Sequence, residues 1–260
     1  MMKGKKSFWS KSVLLFAAAG VLLFMSTVGS TRAALTYYSE NYGMRVAVSN
    51  TGVSLEENGT TVSYMPNDGS GALVSEPLLS HIPGGGAEQG GEKLLFGRDY
   101  QEELSVTNQG DIDTYVRVTI MKSWMKDGEK KTELSPDLIR LDMDQTESYN
   151  GWVKDALASS DGSGTGLYRE RMVLYYTKPL APGESSALFN EKISIDPLIG
   201  REVTQVQEGN VIRTSYKYNG YSFNLEVSVD AVQTHNAVDA VKSAWGKDVE
   251  IAGDGTLSLR

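Results

Sequence analysis

The sequence predicts a mainly β chain, an antiparallel β-sandwich of jelly-roll-like type with one or two short helices. Three observations predict it. Apolar residues recur at every second position over long runs, which marks strands with one buried and one wet side. Gly- and Pro-rich turns punctuate those runs at short intervals, as an antiparallel all-β fold requires. Helical periodicity is confined to one segment near the C-terminus and one short Pro-initiated turn.

Residues 1–33 read as a secretory signal peptide. Lys3, Lys5, Lys6 and Lys11 form a basic leader, Val13 to Met25 is an uncharged and mostly apolar run, and small residues follow up to Ala33 and Ala34. At a rise of about 1.5 Å per residue the apolar run is short for a permanent membrane span. The Ala33–Ala34 bond is the expected cleavage point. Residues 34–260 are then a single β-sandwich domain whose N-terminal strand is free to move, secreted and without a membrane partner after cleavage. The leader holds five basic and no acidic residues, so the remaining chain sets 20 Lys+Arg against 33 Asp+Glu, a net charge of −13. Such a surface repels nucleic acid and anionic lipid. There is no cysteine, so an exported chain of this kind is stabilised by its core rather than by disulfides.

The first predicted strand runs from Tyr38 to Val48. Tyr38, Tyr42, Met44, Val46 and Val48 share one apolar face, interrupted only by Glu40, and small or polar residues fill the other. Cleavage would free this segment to act as a donor strand that pairs with an open sheet edge on a second copy. Leu104 and Val106 begin the next run. Asn108-Gln109-Gly110-Asp111 supplies turn residues, and Val116, Val118 and Ile120 alternate with the wet-side Tyr115, Arg117 and Thr119. Met172 to Tyr176, the turn Leu180-Ala181-Pro182-Gly183-Glu184 and Ala187 to Ile195 read as strand, tight turn, strand. Gly183 is expected at positive φ. The clearest alternation is Tyr221 to Gln233, with Tyr221, Phe223, Leu225, Val227, Val229 and Ala231 on the buried face. A helix is predicted over Ala237–Trp245, capped by Asn236 and ended by Gly246, with Val238, Val241 and Trp245 as its packing stripe. Pro136 to Leu141 adds a short helical turn.

Chemistry-bearing motifs are sparse. The two histidines, His81 and His235, lie far apart and in no His-Glu-x-x-His pattern, and no Gly-x-Ser-x-Gly is present. His235 and Asp239, four apart, read as a helix-terminus ion pair. Pro83 to Gly91 and Asp161 to Gly166 are Gly-rich loops without the lysine and following helix of a phosphate cradle. Asp142-Met143-Asp144-Gln145-Thr146 begins like a calcium loop. Glu147 then stands where the sharp turn wants Gly and Val153 where a bidentate Glu belongs, so an EF-hand is rejected. Trp124 and Trp152 are assigned to the core rather than to sugar stacking. No catalytic, metal or cofactor-binding residue is assigned, and no cofactor is expected.

Gly29-Ser30-Thr31-Arg32-Ala33-Ala34-Leu35-Thr36 resembles the processing region of proteins cut by the SipW-type signal peptidase. Leu104 to Gly110 running into Tyr115-Val116-Arg117-Val118 resembles a hairpin of those proteins, and Leu180-Ala181-Pro182-Gly183-Glu184 is similar to their later strand-joining turn. The chain departs from the pattern at Ser30, where Gly is common, and at Leu35, where Phe is. The resemblance is to the TasA/camelysin family. It implies a jelly-roll-like sandwich, homo-oligomeric fibres built by N-terminal strand donation, a SipW-type peptidase as processing partner, and a place in the biofilm matrix or at the cell surface. The expected function is a secreted structural fibre subunit and not an enzyme. The alternatives are a metalloendopeptidase, implied by the label that camelysins carry, and a surface adhesion or sugar-binding module.

Overall fold

Alternating runs become strands whose inner faces meet in one apolar core. The computed structural model describes residues 47–48, 52–64, 73–82, 94–159, 170–201, 203–208, 211–216, 218 and 220–260. In chain order the first strands are β1 (Ala47–Val48), β2 (Val53–Glu57), β3 (Thr60–Tyr64), β4 (Val74–Ser75), β5 (Tyr100–Asn108) and β6 (Thr114–Lys126). Then come β7 (Glu129–Lys131), β8 (Ile139–Leu141), β9 (Ser148–Tyr149), β10 (Trp152–Lys154), β11 (Arg171–Tyr176) and β12 (Asn190–Ile195). The chain closes with β13 (Val203–Glu208), β14 (Val211–Tyr216), β15 (Ser222–Gln233), α1 (Ala237–Trp245), β16 (Val249–Ile251) and β17 (Leu257–Leu259). Short 3-10 turns occupy Pro136–Leu138, Asp142–Gln145 and Pro197–Arg201.

Two large sheets carry the fold. The first has the order β1-β15-β6-β11-β10-β9, with β7 also paired to β6; the second has the order β4-β3-β2-β5-β12-β8. Every described pairing is antiparallel except β1 with β15. Leu55, Leu104, Val106 and Ile193 of the second sheet join Val118, Ile120, Leu174, Val227 and Val229 of the first in a single buried cluster, a sandwich-like arrangement. The fold class read from the alternation is the one observed. Trp124 and Trp152 are buried, and their indole N–H groups donate to the carbonyls of Ser135 (2.9 Å) and Ala187 (2.8 Å), as a buried ring with a polar handle requires.

Where hairpins are expected, the chain instead arches between sheets. β5 lies in the second sheet and β6 in the first, and β11 and β12 are divided in the same way. The two arches lock together. The backbone of Asn108 donates to Glu184 O (2.9 Å) and accepts from Gly183 N (2.7 Å), and Thr114 and Leu180 exchange N–H···O bonds of 3.0 and 2.8 Å. The fully buried Asn108 side chain completes the joint, donating to Ile112 O (2.8 Å) and Leu180 O (2.9 Å) and accepting from Gly110 N (2.9 Å). Pro182-Gly183 forms a tight turn closed by Glu184 N donating to Ala181 O at 2.9 Å, with Gly183 at φ +78°. Pro at the first central position and a positive-φ Gly at the second make this a type II turn.

A second, smaller core lies on the outer face of the first sheet. Tyr115, Val173, Tyr175 and Val232 pack there against Ala237 and Val241 of α1 and against Val249 and Leu257 of the β16–β17 hairpin. Tyr115, expected on a wet face, is therefore buried. The helix spans the predicted residues but is rotated from the predicted stripe: Ala237 and Val241 are buried while Val238 is exposed. Trp245 docks edge-on to Tyr175 with ring centroids 5.5 Å apart, and the Arg117 guanidinium lies 5.2 Å over its ring. Asn236 precedes the helix in a left-handed conformation and makes no side-chain cap bond, whereas Gly246 ends it as predicted, at φ +67°.

Candidate functional site

The most unusual chemistry lies at one end of the second sheet, where the strand pattern turns a charge inward. Tyr100, Glu102, Leu104, Val106 and Asn108 are the buried alternate positions of β5, so Glu102 shares the face that builds the core. In β2 the same alternation buries Val53, Leu55 and Glu57. Glu57 pairs with Leu104 across the antiparallel ladder, which brings the two glutamates to neighbouring places on one face. Asn58-Gly59 then reverses the chain into β3, both residues at positive φ (49° and 77°) as a two-residue hairpin demands.

The turn over Leu78–Ile82 closes over this end. Leu78, Leu79 and Ile82 are buried and anchor it, and Leu79 is held at φ +60°, a left-handed conformation that costs a non-glycine residue about 1–2 kcal/mol. Its N–H donates to Glu57 Oε1 at 2.6 Å. His81, half-exposed on the turn, sets its ring between the carboxylates, with Nδ1 3.7 Å from Glu57 Oε1 and Nε2 3.5 Å from Glu102 Oε2. Nε2 lies 2.7 Å from the Gln101 carbonyl, and an oxygen that only accepts assigns the ring proton to that nitrogen. Asn58 braces the assembly, its Oδ1 accepting from Glu103 N at 3.0 Å and its Nδ2 lying 3.2 Å from the ring.

Glu102 is fully buried, and neither of its oxygens has a hydrogen-bond partner. Burial, reinforced by the facing Glu57 carboxylate, pushes its carboxyl up to about 9. The other buried charges among the described residues are satisfied. Lys122, also on an inner strand face, donates to Ile139 O (2.8 Å) and Asp144 Oδ1 (2.7 Å); Lys154 donates to Met143 O (2.9 Å); Asp155 pairs with Lys247 (2.9 Å); and Asp196 pairs with Arg140. One ligating atom from each of Glu57, His81 and Glu102 lies within 4.8 Å of the others, the one such group among the described residues.

Sequence reasoning missed this cluster. The signal was present in the Tyr100-Glu102-Leu104-Val106 alternation, where a carboxylate occupies a core position. No spacing rule ties His81 to it, because the turn that delivers His81 is joined only in space. The residues that sequence reasoning weighed fare differently. His235 is exposed ahead of α1 and belongs to no three-residue ligating group among the described residues. The Asp142–Thr146 carboxylates are spent inward: Asp142 Oδ2 accepts from Glu191 N (2.8 Å) and Lys192 N (3.1 Å), and Asp144 holds Lys122. Val48 pairs in parallel with Val229 at the edge of the first sheet. Ala33, Ala34, Tyr38, Tyr42, Met44, Val46 and the two Gly-rich loops lie outside the described residues. No protein-family model, curated protein or solved structure matches the chain.

Proposed function

We propose that the chain is an exported structural subunit of an extracellular matrix or surface fibre, assembled by donation of its N-terminal strand to the next copy. The observation that carries this reading is the edge of the first sheet. There Ala47–Val48 is the only described segment on the outer side of β15, pairing with two of its twelve residues in the one parallel pairing among the described strands. An open sheet edge offers a row of main-chain donors and acceptors to an extended segment, and alternate side chains supply specificity. The sequence just upstream, Tyr38 to Val46, continues the apolar alternation that such a segment needs. A subunit that lends one strand and accepts one makes a head-to-tail contact that does not close, so the product is a filament.

The leader directs export through a SipW-type signal peptidase, and the cysteine-free chain relies on its two apolar cores. Electron microscopy of the secreted, processed protein tests the proposal. Ordered filaments are expected, and a protein that stays monomeric across a wide concentration range would overturn it. The peptidase alternative would announce itself as chelator-sensitive cleavage of an unfolded protein substrate.

A further inference from the structure

We propose that Glu57, His81 and Glu102 bind one first-row divalent transition cation, of which zinc is the closest chemical match, and that the ion ties the Leu78–Ile82 turn to the ends of β2 and β5. This inference is independent of the fibre reading. The donor set is one imidazole nitrogen and two carboxylates, a combination that suits zinc and its neighbours. Calcium takes six to eight oxygens and has little use for an imidazole. Two carboxylates also balance the charge of a divalent ion.

Glu102 points to a ligand by a second route. A carboxylate buried without a partner is costly, and native folds satisfy such groups. Lys122, on an equivalent inner face of the other sheet, has its partners, whereas the two buried oxygens of Glu102 have no hydrogen-bond partner and its Oε2 stands 3.5 Å from the His81 ring. A cation there would supply what hydrogen bonds do not. The surroundings have the form of an outer coordination shell. His81 donates its Nε2–H to the Gln101 carbonyl, which leaves the Nδ1 lone pair on the Glu57 side, and the Leu79 N–H orients Glu57 Oε1. Ligating histidines typically donate their other ring N–H to a carbonyl or carboxylate in this way.

The spacing is close to that of a bound ion. Ligands about 2.1 Å from a tetrahedral centre stand roughly 3.4 Å apart. With Nε2 turned to the Gln101 carbonyl, the Nδ1 donor stands 3.7 Å from Glu57 Oε1, and one donor atom from each of the three residues falls within 4.8 Å of the others. His81 is half-exposed on a surface turn, and its exposure gives the ion an entry path.

The test uses the processed chain without a histidine tag, stripped with chelator and titrated with zinc chloride, following calorimetric stoichiometry and thermal midpoint. One zinc per chain is expected, with a midpoint raised by roughly 5–10 °C at hundredfold excess over Kd. His235→Ala should respond like the parent. His81→Ala and Glu102→Gln should each lose at least three quarters of the shift. Glu102→Gln removes the charge while keeping the shape, and if it fails to fold, the surface variant His81→Ala decides. Absence of one-to-one binding, or a full shift in His81→Ala, would overturn the proposal.

Discussion

Replacing Asn108 by alanine should loosen the joint between the two sheets and cost about 3 kcal/mol. Its side chain makes three hydrogen bonds, of 2.8, 2.9 and 2.9 Å, in a place with no solvent access. Each such bond contributes about 1 kcal/mol net, and buried groups left without a partner add to the loss. Leu180 O keeps its bond from Thr114 N, while the bond that Asn108 donates to Ile112 O and the one it accepts from Gly110 N disappear outright. The main-chain bonds of residue 108 to Gly183 and Glu184 do not depend on the side chain, so the arches should stay paired and the fold should survive. Asn108→Asp keeps the acceptor for Gly110 but sets a charged oxygen against two carbonyls, and should cost at least as much. Urea denaturation followed by tryptophan fluorescence reads the effect, because Trp124 and Trp152 both sit in the shared core. Heating should show a midpoint lowered by roughly 6–12 °C. A loss below about 0.5 kcal/mol in Asn108→Ala would show that the joint is held by main chain alone.

The other expectations concern the turn, the outer core and the leader. Gly183 is at φ +78° with no atom within 4 Å of a built Cβ, so its substitution costs conformation and not space. Gly183→Ala should lose about 1 kcal/mol and Gly183→Val about 1–3 kcal/mol, and an unmoved urea midpoint in both would refute the assignment. Burial alone would raise the Asp155 carboxyl, but the Lys247 ammonium and the backbone N–H groups of Ala158 and Leu157 hold it below its ordinary 3.8. A depressed carboxyl gives stability that is full above its ordinary value and lost as pH falls through the lower one. Lys247→Met should therefore destabilise by about 1–3 kcal/mol at pH 7 and by less near pH 3; equal losses at both would contradict this. Mass spectrometry of secreted protein should find a chain that begins Ala34-Leu35-Thr36, and retention of Lys3 to Lys11 would end the export reading.

Much of the sandwich was legible because period-two alternation states which residues face inward, and β15, β6 and β5 follow it closely. Alternation does not state which sheet a strand joins. The runs flanking Asn108 and Gly183 therefore looked like hairpins, although hydrogen bonds between two distant loops make them arches. Tyr115 and Val238 were assigned to the wrong sides for a related reason. The outer face of the first sheet is wet or dry according to where α1 docks, and docking is a tertiary fact. Gly183 was readable since Pro-Gly dictates a turn type locally. The Glu57–His81–Glu102 cluster was half readable: a glutamate in an apolar stripe was in plain view, but the histidine that meets it comes from a turn about twenty residues upstream.

The central claim is that the N-terminal segment joins one subunit to the next. Deleting Ala34 to Gly43 from the processed chain and imaging the product alongside the intact protein tests it most directly. The account predicts a folded monomer that cannot elongate, with stability but not filaments recovered when a peptide of the missing residues is added. Filaments from the truncated chain, with normal length and yield, would contradict it.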